Sequence, residues 1–311
     1  MQPPNTVPVL LLQPTQPALL RSQQLVTAAW LNELTAGRLP GVGTWRLFEV
    51  DCGLPGVQGR IATAGYMDMY RLEQRPHWNK VADAALLQVL LEHGIGHDSC
   101  VILYSRNMLA AARAAHLMLY AGVSDVRLLD GGLTAWHAAG LPLTRSAPNR
   151  YPATLAFGAP FPARPEYMID IAQARSYLRR TDATLVSIRS WTEYCGMTSG
   201  YSYIDAKGDI PGARWGRAGI DGDVDSMSAF QHSDGTMLPH QDIARFWREA
   251  GILPGQQIAF YCGTGWRASM AFFYAWLMGF PNISVYDGGW YEWSSLSPDY
   301  RPESSSLRCA R

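Results

Sequence analysis

The chain is poor in cysteine, in charge and in long apolar runs. Its five cysteines (Cys52, Cys100, Cys195, Cys262 and Cys309) are few and odd in number for 311 residues. Disulfide scaffolds use cysteine densely and in pairs, so this chain is not one, and at least one thiol stays unpaired. No CxxC pair and no Cys/His cluster has ligand spacing, which argues against zinc, and no metal is expected. Charged residues make up 17%, the 26 basic side chains balance 26 acidic ones, and no Lys/Arg run stands out. A nucleic-acid or membrane-surface partner therefore has no electrostatic footprint. No apolar run reaches the length of a membrane span. The opening MQPPNTVPVLLLQPTQP lacks a basic region and is broken by prolines, so it is not a signal peptide as written.

What is present is an alternation of strand-like and helix-like segments. Helices are predicted over residues 22–34, 82–93 and 109–121, with another from Leu133 closed at Gly140-Leu141-Pro142. Strands are predicted at 45–50, 100–104 and 126–129; the run CVILY is almost continuously apolar, as in a parallel sheet buried on both faces. In the second half a helix is expected near 169–180 and strands at 184–188 and 258–261. This is an α/β pattern, each unit a mainly parallel sheet flanked by helices. Residues 144–165, with prolines at 148, 152, 160, 162 and 165, read as a linker. Residues 7–12 (VPVLLL) read as a short strand that Pro14 and Pro17 isolate from the rest.

The second half repeats the first. Asp130-Gly131-Gly132 recurs as Asp287-Gly288-Gly289, at a spacing of 157 residues (287 less 130). Trp136 and Trp293 keep that register, and so do Ser105 and Cys262. Three matches in one register indicate a duplicated domain. The expected division is an amino-terminal segment 1–21, a first domain 22–143, the linker 144–165, a second domain 166–300 and a tail 301–311.

Cys262 marks the difference between the halves. It ends a strand, precedes the loop Gly263-Thr264-Gly265-Trp266-Arg267, and stands just before an apolar helix beginning near Ala268. Loop N–H groups and the helix dipole favour thiolate over thiol, as a nucleophile requires. Gly263 and Gly265 are expected to let the backbone approach closely and to take positive φ where the curl needs it, with Arg267 adding charge at the rim. Sulfur transfer, phosphate-ester hydrolysis and arsenate reduction all use such a cradle. Tyrosine-phosphatase-like loops place five residues between Cys and Arg, and here there are four. The first half has Ser105-Arg106-Asn107-Met108 at the same place, without thiol or glycine, so that domain is expected to be catalytically silent. Arg189, Arg214 and Arg217 are candidates to hold an anion, against a plain reading as surface ion pairs. Asp221, Asp223 and Asp225 alternate on a glycine-containing loop but lack the glutamate that ends a calcium loop, and read as solvated.

The Cys262 loop resembles that of the rhodanese family of sulfurtransferases. Its Cys-Gly-Thr-Gly is similar to the mercaptopyruvate branch, from which Trp266-Arg267 departs. The segment from Gly208 to Ala213 resembles the family's Gly-His-Ile-Pro-Gly-Ala turn, with Asp209 in place of histidine. At Ser187-Ile188-Arg189 the arginine of the family's Asp-x-Arg is kept and the acid lost. With SIRSWTEY, TSGYSYI, GARWGRAG, FYCGTGWRAS and SVYDGGWYEWSS, residues 25–295 look like the last two domains of a three-domain enterobacterial sulfurtransferase. The resemblance implies two tandem rhodanese-like domains with a site between them, and residues 1–21 as the remnant of a further domain. It implies transfer of sulfane sulfur from thiosulfate or 3-mercaptopyruvate, a small anionic donor, through a Cys262 persulfide. The acceptor would be cyanide, a thiol or a sulfur-accepting protein, and no dissociable cofactor is needed. The alternatives are a sulfur-relay protein loaded by a partner and, further off, a phosphatase or arsenate reductase. The compartment is cytoplasmic as the chain reads, or periplasmic where an export segment precedes it.

Overall fold

Short apolar runs become parallel strands because side chains on both faces can be buried under helices. In the first half these are β1 (Leu25–Val26), β2 (Trp45–Asp51), β3 (Gly65–Asp68), β6 (Cys100–Tyr104) and β7 (Asp125–Leu129), ordered β1-β7-β6-β2-β3 with every pairing parallel. A separate hairpin joins β4 (Glu73–Gln74) to β5 (Asn79–Lys80). The helices are α1 (Ala28–Thr35), α2 (Asp83–Glu92), α3 (Met108–Ala121) and α4 (Gly132–Ala138). The second half has β8 (Met168–Ile169), α5 (Ile171–Tyr177), β9 (Ala183–Ser187), α6 (Trp191–Tyr194), β10 (Arg214–Trp215) and α7 (His240–Glu249). It continues through β11 (Gln257–Tyr261), α8 (Trp266–Leu277), β12 (Ile283–Tyr286) and α9 (Gly289–Leu296). Its sheet runs β8-β12-β11-β9-β10, the same order as the first. The computed structural model describes residue 14 and residues 16–39, 43–53 and 59–296. The strand expected at 7–12 and the tail 301–311 lie outside these.

Two expected helices begin later than their apolar periodicity suggests. Ser22–Gln24 form a 3-10 turn, and Leu25 and Val26 then pair with Leu128 and Leu129 at the sheet edge. Helix α1 starts only where the Thr27 hydroxyl accepts the Trp30 N–H at 3.0 Å. Likewise Met168 and Ile169 pair with β12, and α5 follows behind an Asp170/Gln173 capping box. Burial at a sheet edge outweighs helical period in both places.

The linker is a strap along the first domain. Prolines keep it out of any ladder, so its backbone groups find partners one at a time. Thr144 bridges Arg60, the Phe157 carbonyl accepts the His97 N–H at 2.6 Å, and Tyr151 Oη accepts the Leu47 N–H at 2.9 Å. Phe157 is only 6% exposed.

The two domains share one core. Residues 109–121 of α3 and 267–277 of α8 are buried throughout, and the two helices pack on each other, His116 standing edge-on to Phe272 at 4.7 Å. Each Asp-Gly-Gly turn also reaches into the other domain. Asp130 Oδ1 accepts the Met237 N–H at 2.8 Å, and Asp287 Oδ2 accepts the Lys80 N–H at 2.9 Å. Met237 and Lys80 are themselves in the repeat register (237 less 80 is 157), so the locks are related by the duplication.

Candidate active site

Strand β11 delivers Cys262 to the carboxyl edge of the second sheet, and α8 begins four residues later. Cys262 is 1% exposed, and its Sγ accepts the Gly265 N–H at 3.2 Å. Gly265 occupies the N-cap of α8 at φ +102° with no side chain capping the helix, so the amino-terminal N–H groups remain open toward an anion. Of the two loop glycines, Gly265 takes the positive φ and Gly263 does not. Its lack of a side chain serves a close approach, since a Cβ there would lie 2.3 Å from the Tyr201 ring. Among the described residues Cys52, Cys100 and Cys262 are free thiols, and Cys195 is disulfide-bonded. Burial pushes Cys52 up to about 11 and Cys100 up to about 12, which leaves both protonated near neutrality.

Arg267 is not at the rim. It is 1% exposed and forks onto Glu193, Nη1 to Oε2 at 2.8 Å and Nη2 to Oε1 at 2.9 Å. Nη2 also donates to Tyr201 Oη at 2.7 Å, and that hydroxyl accepts the Gly263 N–H at 3.3 Å. Burial alone would raise the Glu193 carboxyl, but Arg267 and Arg189 outweigh it and hold it at about 2.

The three outlying arginines do not line the cleft beside the loop. Arg189 is fully buried and ties Glu193, Asp209 and the Gly208 and Ser199 carbonyls together. Arg214 is exposed and donates to the Ala250 carbonyl at 3.0 Å. Arg217 lies over the Phe246 ring at 4.8 Å. Arg189 also joins two departures from the family pattern. Asp209 accepts from Ser187 Oγ at 2.8 Å and from Arg189 at 3.2 Å, so the carboxylate absent from position 187 is supplied from position 209.

The cleft over the loop has a cavity volume of about 240 Å³ and is walled by both domains. Cys52, Tyr70, Glu73 and Trp78 come from the first, and Tyr203, Asp225, Thr264, Trp266 and Arg267 from the second. Glu73 joins the walls: its Oε2 accepts from Trp266 Nε1 at 2.9 Å and its Oε1 from Arg113 Nε at 2.7 Å. Arg113, fully buried in α3, donates in turn to Asp287 Oδ1 at 2.5 Å. Sequence reasoning missed Glu73, Arg113 and Tyr201, and read Glu193 only as a surface partner for the outlying arginines. Arg113 had a signal, a lone charge inside the apolar run MLAAARAAHLMLYA, whereas Glu73 sits on a polar hairpin with none. Among the described residues no group of three or more His, Cys, Asp or Glu could hold a metal, and no helix is long and apolar enough to cross a membrane.

The rhodanese-like domain profile matches residues 50–139 and again 170–296. The chain belongs to the rhodanese family. As a tandem rhodanese it is 52% identical over 278 residues to thiosulfate sulfurtransferase YnjE of Escherichia coli (strain K12), covering 88% of this chain and 63% of that protein. It thus spans less than two thirds of that relative's length. The crystal structure of YnjE superposes with a TM-score of 0.87 at 50% identity, over 92% of this chain and 69% of that one. The anaerobic ergothioneine biosynthesis enzyme from Chlorobium limicola, solved with its natural substrate trimethyl histidine, superposes with a TM-score of 0.86 at 38% identity, over 92% and 71% of the two chains. A probable 3-mercaptopyruvate sulfurtransferase of Pseudomonas aeruginosa is 33% identical over 217 residues, covering 68% of this chain and 70% of that protein.

Proposed function

We propose that this rhodanese is a sulfurtransferase working through a persulfide on Cys262. The Cys262 thiolate attacks the outer sulfur of thiosulfate, the S–S bond of the donor breaks, and sulfite leaves with the electron pair. With 3-mercaptopyruvate the leaving group is pyruvate. Cyanide, a thiol or a sulfur-accepting protein then takes the outer sulfur. The observation that carries this reading is the Gly265 N–H on Sγ at the uncapped start of α8, a place built for negative charge on sulfur. The names of the sulfurtransferase relatives support it. Arg267, paired with Glu193 and Tyr201, is proposed to fix the loop rather than to grip the donor.

Intact-mass measurement after thiosulfate and after 3-mercaptopyruvate, separately, should show one added sulfur atom on the wild type and none on Cys262→Ser. Turnover with small molecules alone distinguishes an enzyme from a relay protein, which would load only from a protein partner. Turnover retained in folded Cys262→Ser rules the assignment out.

A second reading concerns the acceptor. The cleft carries the rings of Tyr70, Trp78, Tyr203 and Trp266 with the carboxylates of Glu73 and Asp225, and its guanidinium is already paired. Aromatic faces with nearby carboxylates suit an organic ammonium ion, and the Chlorobium relative was solved with one. Incubating the sulfur-loaded protein with trimethyl histidine and searching for a sulfur-containing product by mass tests this. Unchanged trimethyl histidine alongside normal unloading to thiols rejects it.

A further inference from the structure

Transfer to a thiol has a requirement that transfer from thiosulfate lacks: a proton must leave the attacking S–H. The groups facing the cleft differ sharply in their ability to take it. Burial holds the Cys52 thiol at about 11 and also raises the Tyr201 and Tyr203 hydroxyls; Tyr70 is raised first by neighbouring Cys52. Arg267 is a cation held by Glu193, and Asp225 stands exposed at the mouth.

Glu73 is different. It is 6% exposed, lies on β4 of the domain that lacks Cys262, and is tethered to the first residue of α8 through Trp266 Nε1. Arg113 holds its other oxygen, and Asp287 stands behind Arg113. Each carboxylate oxygen accepts one of these bonds and keeps a further lone pair. Burial pushes this carboxyl up to about 7 although Arg113 and Trp266 act to lower it, which suits a group that takes and returns protons near neutrality.

We propose that Glu73 is the proton acceptor for a thiol co-substrate in the unloading half of the reaction, an inference that rests on the Cys262 persulfide proposed above. The acceptor R–SH gives its proton to the Glu73 carboxylate. Its sulfur forms a bond to the outer sulfur of Cys262–S–SH, the bond between that sulfur and Cys262 Sγ breaks, and the electron pair leaves on Cys262 as thiolate. R–S–SH departs and Glu73 returns the proton to solvent. Atoms and electrons balance with no outside oxidant or reductant. The domain without the nucleophile thus supplies the base.

The experiment loads the full chain with thiosulfate, removes the donor, and follows single-turnover unloading to 2-mercaptoethanol or to sulfite. Above neutral pH sulfite arrives as an anion with no S–H to break. Glu73→Gln should slow unloading to the thiol by about a hundredfold and flatten its rise with pH, while unloading to sulfite changes by no more than about twofold. Sulfite unloading also reports that the variant is folded. If Glu73→Gln does not fold, Glu73→Asp carries the test, with the pH limb for the thiol displaced and that for sulfite unmoved. Equal slowing for both acceptors reduces Glu73 to a packing role, and no slowing for either removes it from the reaction; each overturns the proposal. A wild type that takes up no sulfur on Cys262 overturns the persulfide reading and this one with it, whereas normal loading with equal unloading overturns this one alone.

Discussion

The loops leaving the central strands β6 and β11 stand on the same scaffold and differ in what occupies the start of the next helix. After β6, Asn107 caps α3 with its own side chain, Oδ1 accepting the Leu109 N–H at 3.1 Å. After β11, Gly265 leaves the start of α8 uncapped, and Sγ of Cys262 takes an N–H instead. Ser105 is fully buried, and its Oγ has no hydrogen-bond partner among the described residues. Both loops have an arginine–glutamate pair close by, the partly exposed Arg106 with Glu49 and the buried Arg267 with Glu193. The duplication therefore kept the fold, while the thiol and the helix cap distinguish the two loops; the two ion pairs are unrelated by it, since Arg106 stands opposite Gly263 and Arg267 opposite Ala110. It kept the interdomain locks as well, but only the Asp287 lock carries a buried arginine. In the repeat register Arg113 stands opposite Met270 and Glu73 opposite Phe230, so the equivalent place behind the Ser105 loop is apolar.

The largest expected effect tests the two locks. Asp287→Ala leaves Arg113 buried beside Glu73 alone and should cost about 3–5 kcal/mol in urea denaturation. Asp130→Ala, which breaks its bond to the Met237 N–H, should cost about 1 kcal/mol. Equal losses would mean that the locks are energetically alike and that Arg113 adds nothing.

Next come the paired glutamates, whose pH dependences have opposite sign. Glu193 is held down at about 2, so its stabilisation is fully present above the ordinary carboxylate range and is lost as pH falls toward 2, about 3 kcal/mol in all. Glu49 is raised, chiefly by burial, although Arg106 and Arg60 act to lower it. It binds its proton more tightly in the folded state, so its contribution declines as pH rises through the carboxylate range. Denaturation from pH 7 downward should show Glu193→Gln shedding the acid-side loss and Glu49→Gln steepening it. Parallel slopes in the two variants would erase the distinction.

The smallest effect concerns the loops themselves. Ser105→Cys in a Cys262→Ser background should alkylate with iodoacetamide about a hundredfold more slowly than Cys262. The missing helix-end and N–H stabilisation of a thiolate amounts to about 2–3 kcal/mol. Matching rates would show that the Asn107 cap does not decide thiol reactivity.

Much of this could be read from residue order. The 157-residue register matched both Asp-Gly-Gly turns and set Ser105 opposite Cys262 before any contact was known, because a repeat conserves the places where turns and cores must fall; that each turn locks onto the other domain was not legible. Cys262 and its loop were legible because glycines between a strand and a helix announce a backbone constraint. The starts of α1 and α5 were not, since Leu25-Val26 and Met168-Ile169 carry side chains equally at home in a helix or at a sheet edge. The outlying arginines misled for a related reason: a guanidinium on a long stem can end several ångströms from where its backbone points.

The sequence by itself determined the two α/β domains, the strand–loop–helix setting of Cys262 and the serine at the equivalent place in the first domain, all of which follow from local pattern and spacing. Only the tertiary structure decided which charges meet. Glu193 turned Arg267 inward, Asp209 replaced the acid missing at position 187, and Glu73 crossed from the first domain to Trp266. Such pairings depend on distances between residues far apart in the chain. A buried charge must find its partner wherever the fold places one, because leaving it unpaired costs more than the fold can spare.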